Sequence, residues 1–290
     1  MQGGNAWLWL HLNLADQRCL RWLTQTLGLP QGLVAQFTEQ SLRQHLSSRG
    51  DYLIGHLNDF HQEFDRDCTE HAWLHLLMAK NFLLTGRVKA VQSAERLRKD
   101  LGHGMIFSGP SQLLSHVITN YPDTLDGLHH SLLDELEIIE DHVLDERHRG
   151  ERKRLMLARR EVAQLHRHMR SQRRALQNAE RTVANFPEGL TPVIARLAHL
   201  DQDFDVMEAR ARFFHDEIDA KLASETNRQL YILSALTAAF LPPTLVAGLF
   251  GMNLPGMPWS GSDGGFWLAI GLCLFSSAAV WLFLWNVNWR

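Results

Sequence analysis

Residues 229–262 read QLYILSALTAAFLPPTLVAGLFGMNLPGMPWSGS, and residues 264–289 read GGFWLAIGLCLFSSAAVWLFLWNVNW. Neither stretch holds a charged side chain, and Asp263 alone interrupts the 61 residues from Gln229 to Trp289. The segments 230–250 and 266–287 are each long enough, as helices, to cross a hydrocarbon core about 30 Å thick. The alternative, a helical hairpin buried in a soluble core, is disfavoured by two charge-free runs of this length. The loop between them, 251–265, has no Lys or Arg, whereas Lys221 and Arg228 precede the first span and Arg290 follows the second. Basic residues favour the cytoplasmic side, so both termini are expected there. Trp259 and Trp267 fall at the outer boundary and Trp285 and Trp289 at the inner one, as in aromatic belts.

Wrapping the first span at 3.6 residues per turn sorts it into two faces. Asn227, Leu230, Ser234, Thr237, Leu241, Thr244 and Gly248 share one arc, and Gln229, Ile232, Leu236, Ala239, Val246 and Phe250 lie opposite. Lipid offers no partner to hydroxyls and amides, so the first arc is expected to face protein or water. One hairpin cannot enclose a water path. Either several copies surround a pore with this arc, or the arc is a small-residue packing face against another helix; periodicity leaves both open. Pro242-Pro243 should bend the helix.

Upstream, no helix breaker separates Thr191 from Pro242 except the start of the helix itself, so a long helix is expected to run from a soluble domain straight into the span. Residues 123–185 are Pro-free and rich in Leu, Glu, Arg, His and Ala, which reads as long helices after a change of character at Tyr121-Pro122. Residues 123–146 carry nine acids and no Lys or Arg; 147–181 carry twelve Lys or Arg against three Glu. A basic helix of this kind can bind RNA or anionic lipid, but with acidic segments on both sides it reads as a paired, solvated face.

The first 120 residues are mixed. Leu8, Leu10, Leu12 and Leu14 alternate with Trp7, Trp9, His11 and Asn13, the signature of a half-buried strand. Asp16 then caps a helix carrying Leu20, Leu23 and Leu27. A second helical stretch is expected near 38–46, strand-like runs at 52–60 and 72–89, a helix over 92–101 and a short helix over 111–119. The expected fold class is α+β: a cytoplasmic α/β domain over 1–120, stalk helices over 121–228 and a transmembrane hairpin over 229–290.

Composition closes off several functions. The 290 residues carry 29 Lys plus Arg against 32 Asp plus Glu, a formal net charge of −3 that argues against a nucleic-acid partner. Cys19, Cys68 and Cys273 show no CxxC spacing, so neither a disulfide framework nor a cysteine zinc site is expected. No basic residue precedes Arg18 and His11 breaks the short apolar run, so no secretory signal is expected at the N-terminus. There is no convincing nucleophile, paired intramembrane acid or metalloprotease motif, so no enzyme activity and no cofactor are expected.

At the outer end of the first span stand Gly251, Met252 and Asn253, followed by Leu254-Pro255-Gly256-Met257-Pro258-Trp259. A GMN tripeptide is common by chance. Placed after a proline-containing first span of a C-terminal hairpin, it is specific. Residues 227–253 resemble the CorA superfamily of divalent-cation transporters, strongly over 215–290 and colinearly upstream. Within it, Trp9-Leu10-His11-Leu12-Asn13, Asn81-Phe82-Leu83-Leu84-Thr85-Gly86-Arg87 and the loop above look most like the zinc transporter (ZntB) branch. One departure is informative: magnesium-type members usually carry an acid after the Met-Pro of this loop, and here Trp259 stands there, leaving Asp263 as the loop's acid.

The resemblance implies a homopentamer in a bacterial inner membrane, its α/β domains forming a funnel and its five first spans a pore. Gly251, Met252 and Asn253 would form the selectivity mouth; Asn227, Leu230, Ser234, Thr237, Leu241, Thr244 and Gly248 would line the path. The cargo would be Zn2+, with Mg2+, Co2+ and Ni2+ as alternatives, and inward flux would follow the membrane potential, about 2.3 kcal/mol per elementary charge per 100 mV. Asn253 amides suit a hydrated divalent ion, Gly251 would give a sharp helix exit, and Leu230 and Leu241 would be hydrophobic constrictions. The competing reading is a membrane-anchored scaffold or sensor without transport. Cytoplasmic cation sites are conceivable at Asp201, Asp203 and Asp205, or at His215, Asp216, Glu217 and Asp219, though solvated faces explain both clusters; each of the 16 histidines is read as solvated or packed.

Overall fold

The computed structural model describes residues 6–39, 43–63, 66–144, 150–252 and 264–288. The chain forms two compact units, 1–215 and 216–290.

The first unit is built on a five-stranded mixed sheet. Its strands are β1 (Leu8–Asn13), β2 (His45–Arg49), β3 (Tyr52–Glu63), β4 (Arg66–Ala79) and β5 (Phe82–Arg87), in the order β1-β5-β4-β3-β2. β2 to β5 form an antiparallel meander, and β1 adds parallel to β5 with Leu10 opposite Leu84. The alternation in β1 divides the sheet's faces as its sequence indicates. Leu10, Leu12 and Leu14 pack with Ile54, Leu77 and Leu84 under the two short helices α1 (Gln17–Gln25) and α2 (Gln31–Phe37), which contribute Leu23, Leu33, Val34 and Phe37. Each fully buried Leu or Phe removed from water in this layer contributes about 1.5–3 kcal/mol. On the other face the Trp9 indole N–H donates to Thr85 Oγ1 at 3.0 Å, and His11 Nδ1 lies 2.8 Å from the same hydroxyl. Asp16 caps α1 through the Arg18 amide at 2.9 Å.

α3 (Gln92–Gly102) has no capping side chain of its own at Val91. The carboxylate of Asp59 on β3 serves instead, accepting from the Ser93 amide at 3.1 Å and from the Ser93 hydroxyl. Gly55 marks the close approach of β2 to β3: a Cβ there would stand 2.9 Å from Leu46 Cα.

Two sequence expectations fail in this unit. The helix placed near 38–46 is instead the end of α2 at Phe37 and the start of β2 at His45, because Leu46 is needed as an in-facing strand residue. The short helix expected over 111–119 does not stop before Tyr121-Pro122. One helix, α4 (Pro110–Leu144), runs through Pro122. A mid-helix proline forfeits a hydrogen bond and costs ~3 kcal/mol; the burial of Val117, Ile118, Tyr121 and Leu125 on both sides of it outweighs that loss.

α5 (Glu151–Thr182) and, after a 3₁₀ turn at Glu188–Leu190, α6 (Thr191–Phe250) complete the helical layer. Leu155, Ala158, Val162, Leu165, Met169, Leu176 and Ala179 make the buried stripe of α5; Leu197, Leu200, Phe204, Met207 and Ala211 make that of α6 within the first unit. The basic and acidic runs pair across helices, Arg154 gripping Glu135 with 3.0 and 2.9 Å bonds, and Arg210 of α6 pairs with Glu140 of the acidic run. These partly exposed pairs orient the helices more than they stabilise them.

The second unit holds residues 216–250 of α6 and α7 (Gly264–Asn288). Among the described residues, two helices are long and apolar enough to cross a membrane. Helix α6 carries through Pro242 and Pro243.

Candidate functional site

Within the second unit, α7 covers one face of α6. Ala235, Ala239, Pro242, Pro243 and Val246 are the half-buried positions there. The Cys273 thiol points at the Pro243 carbonyl at 3.6 Å, and the Ser277 hydroxyl at the Ala239 carbonyl at 3.5 Å. Asn227, Leu230, Ser234, Thr237, Leu241, Thr244 and Gly248 are all exposed and lie about half a helical turn away from those positions. The polar arc is therefore not the surface α6 uses for its own hairpin. Thr237, Leu241, Thr244 and Gly248, with Phe240, Leu245, Leu249 and Met252, line a shallow groove of about 660 Å³.

The hydroxyls on this arc are oriented by their own helix. Thr237 donates to the Leu233 carbonyl at 2.9 Å and Thr244 to the Phe240 carbonyl at 2.6 Å. With their protons so occupied, both oxygens face outward as acceptors, the polarity that suits water bound to a cation.

At the end of the span, the Gly251 amide donates to the Ala247 carbonyl at 2.9 Å and the Met252 amide to the Leu249 carbonyl at 3.3 Å. Among the described residues the glycines with positive φ are Gly28, Gly50, Gly104 and Gly150. Gly251, expected to give a sharp helix exit, leaves α6 without a positive φ. A Cβ there would sit 3.1 Å from the Ala247 carbonyl oxygen, so closeness to the last turn is what favours glycine. Asn253 and Asp263 lie outside the described residues.

The acidic residues of α6 do not behave as one cluster. Asp203 turns to His199, 3.0 Å away and one helical turn back. Asp201 is buried against α5, where it receives Arg170 Nε at 2.7 Å, Arg173 at 2.7 Å and His166 Nε2 at 2.8 Å. Asp205 takes the other end of Arg170 at 2.9 Å, and Glu208 Oε1 lies 2.9 Å from His166 Nδ1. His166 is 2% exposed and stacks on Phe204. Burial opposes ionisation of Asp201, but the hydrogen bonds from Arg170 and His166 outweigh it and hold the carboxyl below its ordinary value. Glu208 is shifted the same way: burial opposes, and the bond and charge of His166 prevail. Ligand atoms of His166, Asp201 and Asp205 fall within 4.8 Å of one another. Two guanidinium groups already occupy Asp201, so this group acts chemically as an ion-pair clasp between α5 and α6. The solvated reading of Asp201 is accordingly corrected.

The clasp has a sequence signal that went unread. His166, Arg170 and Arg173 are spaced i, i+4, i+7, and so are Asp201, Asp205 and Glu208, which places complementary stripes on two neighbouring helices. In the second unit, Glu217 pairs with Lys221 at 3.5 Å, and Asp216 and Asp219 lie on the same stretch of α6.

A sheet-based unit followed by an apolar two-helix hairpin, with a polar arc left open on its first helix, is an architecture that fits a protein with two membrane spans. The chain belongs to the CorA-like Mg2+ transporter protein family, which matches residues 4–285. It is similar to the zinc transport protein ZntB of Photorhabdus laumondii subsp. laumondii, 28% identical over 283 residues that span 94% of this chain and 86% of that one. Its fold is that of the full-length CmaX protein (TM-score 0.80, 22% identity, 98% of this chain and 89% of that one) and of the CorA magnesium transporter from Methanocaldococcus jannaschii (TM-score 0.78, 20% identity, 95% and 89%). The α+β class and the placement of the apolar hairpin at the C-terminus agree with the sequence reading.

Proposed function

We propose that this divalent-cation transporter of the CorA-like family carries Zn2+ and related ions inward across the bacterial inner membrane as a homopentamer, with both termini in the cytoplasm. The observation that carries the reading is the exposed arc on α6. Its own partner α7 lies against the opposite face, and a surface bearing Asn227, Ser234, Thr237 and Thr244 has no stable exposure to lipid. Five copies of that arc enclose a path walled by neutral acceptors, with Leu230 and Leu241 as constrictions. Gly251, Met252 and Asn253 form the outer mouth, where amide oxygens accept hydrogen bonds from the ion's water shell, and Asp263 supplies the loop's acid. The division at about 120 and 228 separates funnel, stalk and hairpin. Zinc is favoured over magnesium by the Trp259 departure and by the ZntB relatives.

The test is flux in proteoliposomes for Zn2+, Co2+, Ni2+ and Mg2+, with and without a proton gradient. Wild type is expected to carry Zn2+ and Asn253→Ala to lose most of that flux. Equal flux in the two refutes the mouth, and no flux of any divalent ion favours the anchored-scaffold reading.

A further inference from the structure

Only part of the basic run on α5 finds acids within the chain. Arg154, Arg170 and Arg173 are paired with Glu135, Asp201 and Asp205. Lys153, Arg160, Arg167, Arg174 and Arg181 are not. They stand seven residues apart, all five are exposed, and none has a carboxylate partner among the described residues. Seven residues are almost two full turns, so the five cations form one ladder with rungs about 10.5 Å apart. The exposed residues between them, such as Gln164, Ser171 and Asn178, are neutral. The buried stripe of α5, from Leu155 to Ala179, lies on the opposite side, so the ladder points out of the first unit.

α4 carries a matching face of the other sign. Asp134 and Asp141 are exposed, seven residues apart, and have no cationic partner among the described residues. Asp123 falls on the same face and shares its carboxylate with Arg196. Leu132, Leu136, Ile139 and Val143 are buried on the far side of this helix. The two faces also share an apolar step. Ile138, 45% exposed, stands between Asp134 and Asp141, and Met156, 59% exposed, stands between Lys153 and Arg160. Read antiparallel, acid, Ile138, acid on α4 meets base, Met156, base on α5, each with the same intervals of four and three.

The heights agree as well. Within the chain α4 and α5 run antiparallel, with His142 Nδ1 3.1 Å from Glu151 Oε1 and Arg154 holding Glu135. A rotation about an axis along these helices leaves heights unchanged. Lys153 of the next copy then comes level with Asp141, and Arg160 with Asp134, to within about one helical turn. Arg167 and Arg174 fall on either side of Asp123. Contact between two different faces of one molecule is heterologous, the kind that closes into a ring.

We propose that the Asp134–Asp141 face of α4 in one copy lies antiparallel against the Lys153–Arg160 face of α5 in the next, joining the first units head to tail. This rests on the homo-oligomeric reading above and adds which surfaces meet. A second copy is favoured over a nucleic acid or a lipid headgroup because the acids and the apolar step that the ladder needs are present on this chain at the same spacing. Exposed ion pairs contribute little each; in a row they fix register and exclude wrong partners.

The test uses the full-length protein in detergent, with Cys19→Ser, Cys68→Ser and Cys273→Ser. Two differently tagged copies are co-expressed, one with Asp141→Cys and one with Lys153→Cys, so that only a link between copies joins the tags. A short bis-maleimide should couple most of the chains, and either substitution alone should give little product. A chain carrying both should give a ladder of bands beyond the dimer. Arg160→Glu should lower the coupling rate at least fivefold, and adding Asp134→Arg should restore it. Asp134→Cys with Arg160→Cys decides the matter if the first pair disturbs assembly. Absence of coupling in a protein that light scattering shows to be oligomeric overturns the proposal and leaves the homo-oligomeric reading standing; a monomeric mass overturns both. Phospholipid or nucleic acid that wild type retains and Arg160→Glu loses, found in place of coupling, gives the ladder to that occupant and also overturns it.

Discussion

Acidifying the protein from pH 7.5 to pH 5 should destabilise the first unit, and the size of the loss follows from four buried or half-buried groups. Desolvation, with His75 and His45 nearby, lowers the His56 value from 6.5 to about 4. Desolvation lowers His11 and His71 to about 4 as well, with Arg87 adding to the first and His168 to the second. Each folded value lies below the free one, so the unfolded chain takes up protons first as the pH falls. The stability each ring contributes is full above pH 6.5 and is lost down to about pH 4. At pH 5 that is about 2 kcal/mol for His56, and roughly half as much each for the less buried His11 and His71. Asp59 acts in the opposite sense. Burial raises its carboxyl from 3.8 to about 6 despite its bonds to Ser93 and Phe60, so ionisation costs the fold above pH 6, and about 1 kcal/mol returns by pH 5. The net loss is roughly 2–3 kcal/mol, a fall of about 5–10 °C in thermal midpoint for a unit of this size. Circular dichroism melts in EDTA at constant ionic strength provide the measurement. His56→Gln should flatten the pH profile and Asp59→Asn should steepen it. A midpoint that rises on acidification, or a profile unchanged by both substitutions, refutes the reasoning.

Asp201→Asn takes a charge from the clasp while His166 stays buried, and should lower stability by about 2–4 kcal/mol, read as a lower urea midpoint; an unchanged midpoint means the clasp is incidental. Gly55→Ala forces a Cβ against the β2 backbone and should cost about 1–3 kcal/mol, seen as a lower melting temperature and weaker amide protection in β2 and β3. Glu135→Ala removes the Arg154 grip at a partly exposed site and should change the melting temperature by less than about 1 kcal/mol equivalent. Thr237→Val keeps the shape of the arc but deletes an outward acceptor; it should slow Zn2+ flux severalfold in proteoliposomes while leaving hairpin packing intact, because Thr237 is not among the half-buried positions against α7.

Where the chain advertises its structure, it does so through strict periodicity. The charge-free spans, the alternation in β1 and the capping Asp16 are local patterns, and each has its counterpart in the fold. Pairings across long separations were not legible. Nothing near Leu8 announces a parallel partner at Phe82, and Pro122 carries a strong local stop signal that buried neighbours on α4 override. The basic run on α5 was readable as a paired face, yet its register against Asp201, Asp205 and Glu208 needs the helix crossing to be known. The alignment of three histidines across β2, β3 and β4 was not legible for the same reason. His45, His56 and His75 share no spacing in the sequence, and only the register of three strands aligns them. The polar arc of α6 was the opposite case, since one helix carries the whole pattern.

The pairing of β1 with β5 bears on how the protein is made. His11 and Thr85 are 74 positions apart, so β1 leaves the ribosome with no β5 edge to join until the whole meander has followed it. At ordinary synthesis rates of about 5–20 residues per second that is a wait of several seconds, with Trp7, Trp9 and Leu10 unshielded throughout. The apolar spans are synthesised after the sheet and its helices. The nascent soluble unit can close over those side chains before the hairpin emerges and engages the insertion machinery.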